Sequence, residues 1–324
     1  MADAAPDRSA RRETIVLAGL AAAALACAVL YMTIGVRGGW AFVLPFRAPK
    51  LAGMVVVAVA VAFSTVVFQT VTRNRILTPA IMGFDSLYVA IQTALVFVFG
   101  SRVLATLDAD WRFIGETSAM VGFSVVLFRW LLSEHGRGIH LLVLTGVVFG
   151  MLFRSLASML QRVLDPNEFS ALQDLLFASF NTIDAGLLGV TGLASGVCCA
   201  WLLSIHRTLD VLSLGRDAAV GLGVPHARLV TRLLFVVAVL VSASTALVGP
   251  IAFFGLLVAN LAYLAVGHRH RPALVASALI AVVAVVGGQA VLEHALKLGG
   301  VLGVVIEFVG GIAFIVLLMR GIHR

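Results

Sequence analysis

LAGMVVVAVAVAFSTVVFQTV, residues 51–71, carries no charged side chain and no alternation of apolar with polar positions. A stretch of this kind matches the roughly 20 apolar residues that take an α-helix across a hydrocarbon core. Its continuity argues for a helix, because a membrane β-strand would alternate at every second residue. By the same ruler the chain divides into ten spans, at about 15–34, 51–71, 79–100, 113–132, 139–162, 185–205, 229–248, 251–267, 272–292 and 301–319. Pro79 and Gly83 break the start of the third, and Pro250 and Gly255 that of the eighth. The chain is 61% hydrophobic and 12% charged, with a mean hydropathy of +1.07, far from soluble domains. The expected fold is an all-α integral membrane protein, one transmembrane domain over 1–324 with a short tail at 1–14.

Ten spans put both termini on one side of the membrane, and the basic residues say which. The segments on the terminal side carry fifteen of them, from Arg8, Arg11 and Arg12 to Arg320 and Arg324, while the opposite segments carry seven. Both termini are therefore expected in the cytoplasm. The net charge of +7 reflects this bias; no arginine run is interleaved with aromatics, so nucleic acid is not an expected partner. Ile15–Ile34 is long enough to span and lacks a convincing small-residue cleavage pattern, which makes it a retained first span.

Chemistry is sparse. No phosphate loop of the GxxxxGK[ST] form and no HExxH helix occur, and Cys27, Cys198 and Cys199 lie in apolar runs without metal-ligand spacing. Glu134–His135 and Glu293–His294 are isolated pairs near span ends, and His268, Arg269, His270 and Arg271 read as a solvated positive anchor. GLASG at 192–196 has no histidine within reach and reads as helix packing. The sequence thus offers no catalytic residue, no metal site and no cofactor.

Arg154 and Glu307 sit deep in the fifth and tenth spans, where a charge costs roughly 2.5–3.5 kcal/mol on insertion scales. Both occupy stripes of small residues four apart: Gly146, Gly150, Arg154 and Ser158, and Gly299, Gly303, Glu307 and Gly311. Close helix packing explains such stripes as readily as a shared polar pathway does. A proton-coupled carrier with Glu307 as its titrating group is the alternative transport class, although no internal repeat supports it.

Between two spans, LDVLSLGRDAAVGLGVPHAR at 209–228 is polar and cut by Gly215, Gly221, Gly223 and Pro225. Arg207, Arg216, Arg228 and Arg232 place it on the cytoplasmic side. A compact helical knob there is what a soluble motor would grip.

Four ordered segments then resemble one family. FQTVTRNRILTPAIMGFDSLYVAIQT at 68–93, LSLGRDAAVGLGV at 212–224, GPIAFFGLLVANLA at 249–262 and GVVIEFVGGIAFIVLLMRG at 303–321 are similar to type II ABC importer permeases for iron chelates and cobalamin. Ala259 and Asn260 stand where that family usually has Pro-His, and Glu307 where a neutral residue is usual. RNRILTPAIMGFDSLY at 73–88 and LQRVLDPNEFSALQDLLFASFN at 160–181 are most similar to the ferric siderophore subgroup, catecholate types included.

The resemblance implies a non-enzymatic transport subunit in a bacterial cytoplasmic membrane. It would work with a separate ABC ATPase, an extracytoplasmic siderophore-binding protein, and a second permease chain, identical or, as is common in the subgroup, different. The cytoplasmic segment 206–228 would couple to the ATPase through Leu214, Gly215, Ala218, Gly221, Leu222, Gly223 and Val224. Arg154, Ser158, Gly303, Glu307 and Gly311 would line the pathway. Arg47, Lys50 and Lys297 stand at or near positions where cobalamin-type permeases carry outer arginines that receive the binding protein's carboxylates.

Overall fold

The computed structural model describes residues 6–35, 39–132, 139–180, 183–295 and 302–322, and the regular structure among them is helical throughout. In chain order the helices are α1 (Pro6–Thr33), α2 (Trp40–Thr72), a 3-10 turn (Pro79–Met82), α3 (Phe84–Phe99), α4 (Ser101–Thr106), α5 (Ala109–Leu132), α6 (Ile139–Gln161) and α7 (Pro166–Leu176). There follow α8 (Ala185–Ser204), α9 (His206–Ser213), α10 (Arg216–Gly221), α11 (His226–Val248), α12 (Phe254–Val266), α13 (His270–Ala290) with a π-helical end (Val291–Ala295), and α14 (Leu302–Ile322).

Among the described residues six helices are long and apolar enough to cross a membrane: α1, α2, α6, α8, α11 and α13. The apolar helices α3 and α12 are shorter, and α5 is diluted by Glu116, Thr117, Ser118 and Ser124. Of the ten expected spans, six are thus clear by length and composition among the described residues, and a helix lies at each of the ten places. The cause of the shortness is visible at α3 and α12. Each follows a non-helical segment, 73–78 and 249–253, that takes the place of its first turns and leaves only a short helix behind it.

Two boundaries also move. Residues 6–14, expected as a tail, are helical and continuous with α1. α2 starts at Trp40 and runs through Pro45 and Pro49, so Arg47 and Lys50 lie within a helix rather than before one. α7 was not expected at all. Asp165 caps it, accepting from the Asn167 N–H at 2.9 Å, with Pro166 in its first turn.

α2 is the axis of the bundle, packed by α1, α8, α11, α12 and α13. Met54, Val57, Ala58, Val66 and Val67 on it are wholly buried. α3 and α6 meet through glycine. Gly83, at φ 91°, lies so near α6 that a Cβ on it would fall 2.9 Å from the Gly150 Cα. The far side of α6 and one side of α14 stay bare, exposing Leu144, Met151, Leu152 and Met159, and Phe308, Ile312 and Met319.

Candidate functional site

Arg154 and Ser158 lie on the bare side of α6, and Glu307 on that of α14. Among the described residues no ion pair joins Arg154 to Glu307. They are linked instead through a third group, Asp85 in the first turn of α3, which interacts electrostatically with both. Glu307 accepts a hydrogen bond from the backbone N–H of Ala252. That residue precedes Phe253, the left-handed N-cap of α12 at φ 57°. Two carboxylates thus face the positive ends of two helices that begin inside the protein, an arrangement by which transporters build polar sites at membrane depth. A cavity of about 30 Å³ lies beside Asp85, walled also by Thr65, Thr78, Ser244, Thr245 and Phe253. That is about one water's share of liquid volume.

Asp85 escaped the sequence reading although it lies in a span. The signal was there: an acidic residue two positions after the Gly83 break, where it opens a helix. The small-residue stripes divide between their two explanations. Gly146 and Gly150 press on Met82 and Gly83, and Gly303 presses on Ala178, its virtual Cβ 2.9 Å from that of the alanine. All three lie in close contact with neighbouring segments. Gly311 has open space beside it, and Gly299 lies outside the described residues.

On the opposite end of the molecule α9 and α10 form the knob expected from 209–228. Leu209, Leu212 and Ala219 are fully buried beneath it, whereas Leu214, Val220 and Leu222 are each more than half exposed. Soluble surfaces rarely leave three such side chains bare together. Ala218 is exposed and Val224 half-buried. The glycines are not equivalent. Gly215 turns at φ 109° and Gly223 at φ 81°, while Gly221 is helical with open space around it. A left-handed side chain costs roughly 1–3 kcal/mol. Gly223→Val should therefore lower uptake per ATP hydrolysed by about tenfold and Gly221→Val should lower it far less, measured side by side in liposomes. Equal losses would mean that bulk at an interface, and not backbone strain, is what matters.

His270 corrects the reading of its neighbourhood as a solvated anchor. Arg269 and Arg271 are exposed, but His270 is only 3% exposed and turned inward. His268, outside the spans, has its pKa lowered by burial and by Arg75 beside it.

Arg47 is not a free outer cation. Its Nη1 donates to the carbonyls of Tyr31 at 2.8 Å, Met32 at 3.2 Å and Ile34 at 2.8 Å, and its Nη2 lies 3.1 Å from His294 Nε2. It caps the carboxyl end of α1, whose last turn has no basic residue of its own. Lys50 is half-buried, and Lys297 lies outside the described residues.

Comparison with known proteins follows the same lines. The FecCD transport family matches residues 35–320. The chain is 44% identical to the petrobactin import system permease protein YclO of Bacillus subtilis, over 95% of this chain and 98% of that protein. It is 36% identical to the petrobactin import system permease protein FatC of Bacillus anthracis, over 85% and 78% respectively. A solved inward-facing structure, described as of the metal-chelate ABC transporter type, superposes with a TM-score of 0.83 at 24% identity, covering 95% of this chain and 99% of that one. The last likeness bears on the fold alone.

Proposed function

We propose a ligand, a set of partners and a coupling route for this chain, which belongs to the FecCD transport family. It is the permease component of an ABC-type importer of iron chelates, working with a separate ATPase, and is not itself an enzyme. The proton-carrier alternative built on Glu307 gives way to that assignment. The ligand is a ferric siderophore of the petrobactin type; the 44% identity over nearly the whole chain is the observation that carries this reading.

Two permease chains, identical or different, pair across the bare sides of α6 and α14, so that Asp85, Arg154, Ser158 and Glu307 come to line a shared path. One unbroken domain, 1–324, spans a bacterial cytoplasmic membrane with both termini inside. An ATPase subunit grips Leu214, Val220 and Leu222, whose exposure is otherwise unexplained. An extracytoplasmic binding protein docks on the opposite face near Lys50 and Lys297, with Arg47 holding the α1–α2 corner from within. ATP binding closes the ATPase pair, and the gripped segment passes that movement to the helices as a shift between outward- and inward-open states.

A deletion strain supplied with radio-iron as petrobactin-type, hydroxamate and haem complexes tests the reading. Uptake of the first should vanish and return with the restored gene, should stop on ATP depletion, and should survive collapse of the proton gradient. Undiminished petrobactin-type uptake in the deletion strain, with another chelate lost in its place, would reassign the ligand.

A further inference from the structure

We propose that Asp210, His270 and Thr70 form a latch that makes the ATPase-gripped segment move as one body with α2 and α13. They are positioning residues for coupling, and the proposal rests on the ATP-driven import reading above. Asp210, on α9, accepts two hydrogen bonds at the same Oδ1: from the His270 backbone N–H at 2.8 Å and from the ring Nδ1 at 2.6 Å. The first fastens α9 to the opening residue of α13, and the carboxylate there also faces that helix's positive end. The second fixes the ring. With its Nδ1 hydrogen on Asp210, a neutral imidazole presents Nε2 as an acceptor to the Thr70 hydroxyl, 2.8 Å away in the last turn of α2, whose single hydrogen otherwise goes to the Val66 carbonyl, also at 2.8 Å. Thr70 is 7% exposed and His270 3%, so the inner end of this chain of bonds is sealed from water, while the Asp210 side chain at its outer end is 38% exposed. Tyr263 of α12 bonds to the same hydroxyl.

The end of α2 is tied to the segment a second time. Arg73, the left-handed C-cap of α2 at φ 51°, lays its guanidinium over Gly215 at the α9–α10 junction, 3.2 Å from where a Cβ would stand. Beyond it, the Arg75 carbonyl accepts from Gln69 of α2 at 2.7 Å and from Asn260 of α12 at 3.3 Å. The departure noted in the sequence, Asn260, thus contributes to the same junction.

The physical consequence follows from direction. The apolar underside of α9, Leu209 and Leu212, would let the segment roll on its bed, because burial has no preferred angle. Buried, paired polar groups do have one, and leaving one unpaired in a dry site is costly. The segment therefore has an apolar outer face for its partner and a polar inner lock to three helices.

The full complex of permease pair, ATPase and binding protein in liposomes supplies the test, with Asp210→Ala, Asp210→Asn and Thr70→Val on this chain. ATPase retention on the membrane and basal hydrolysis should stay within about twofold of wild type. Chelate uptake per ATP hydrolysed should fall roughly tenfold in Asp210→Ala and Thr70→Val, since side chains along a coupling route change it by that order. Asp210→Asn should fall less, because it keeps an oxygen for the His270 backbone N–H. Unchanged uptake per ATP in Asp210→Ala and Thr70→Val, whatever happens to the melting temperature, overturns the latch. So does loss of the ATPase from the membrane, which would make Asp210 a docking residue. Should Asp210→Ala fail to accumulate, Thr70→Val, which removes one hydroxyl and keeps the shape, decides alone. A wild-type complex that hydrolyses ATP without moving any chelate would overturn the import reading instead.

Discussion

Gly150→Val should leave little or no folded permease in the membrane, and Gly83→Val less still. A Cβ at residue 150 would lie 3.0 Å from the Gly83 Cα, and one at residue 83 would lie 2.9 Å from the Gly150 Cα and 3.1 Å from the Gly146 carbonyl oxygen. Both partners are backbone, so neither can swing aside as a side chain would. Overpacking ordinarily costs roughly 1–3 kcal/mol. Parting α3 from α6 would also unseat Asp85 and Arg154, and Gly83 adds the strain of φ 91°. Gly115→Val and Gly122→Val on α5, where nothing lies within 4 Å of the added carbon, serve as controls and should accumulate nearly normally. The measurement is the yield and melting temperature of monodisperse protein in detergent. Normal yield of Gly150→Val would mean that the two helices stand further apart than this.

The stripes of small residues were legible in the sequence because a repeat of four puts side chains on one helical face whatever they do there. Their purpose was not legible. Gly146 and Gly150 turn out to be contact points, and Arg154 one turn further on is exposed. Hydropathy located the helices well, since continuous apolar runs report burial in lipid or protein alike. For the same reason it could not tell a full crossing from α3 or α12, whose first turns are replaced by the non-helical segments 73–78 and 249–253. The knob at 209–228 was readable from its glycines, yet the two that need left-handed backbone, Gly215 and Gly223, could be separated from Gly221 only by their dihedral angles. Nothing local in the sequence could pair residues as distant as Thr70, Asp210 and His270. Arg47 looked like an outer cation because its acceptors are main-chain carbonyls of another helix, and carbonyls have no sequence signature.

Arg154→Met should destabilise the assembled permease pair far more than the single chain, and Asp85→Asn in the same chain should restore much of the loss. In the single chain Arg154 and Glu307 are exposed, and exposed charge pairs are worth only about 0–1 kcal/mol. Pairing across α6 and α14 would remove that water. Removing one partner of a buried set then costs roughly 3–5 kcal/mol, because the others are left uncompensated. Asp85 would then face Glu307 without the guanidinium that offsets its charge. Asp85 is the better residue to neutralise, since Glu307 keeps the Ala252 N–H and the end of α12 as a counterweight. Arg154→Met with Asp85→Asn should therefore outlast Arg154→Met alone on heating the complex. Strict additivity of the two changes would show that the groups do not interact. Uptake is expected to stay low in the restored double variant, because a wall without the Arg154 guanidinium can hold a fold together yet no longer hold an anionic chelate in passage. Stability regained without transport would then assign Arg154 to the path itself, whereas recovery of both would reduce the three charges to a structural device.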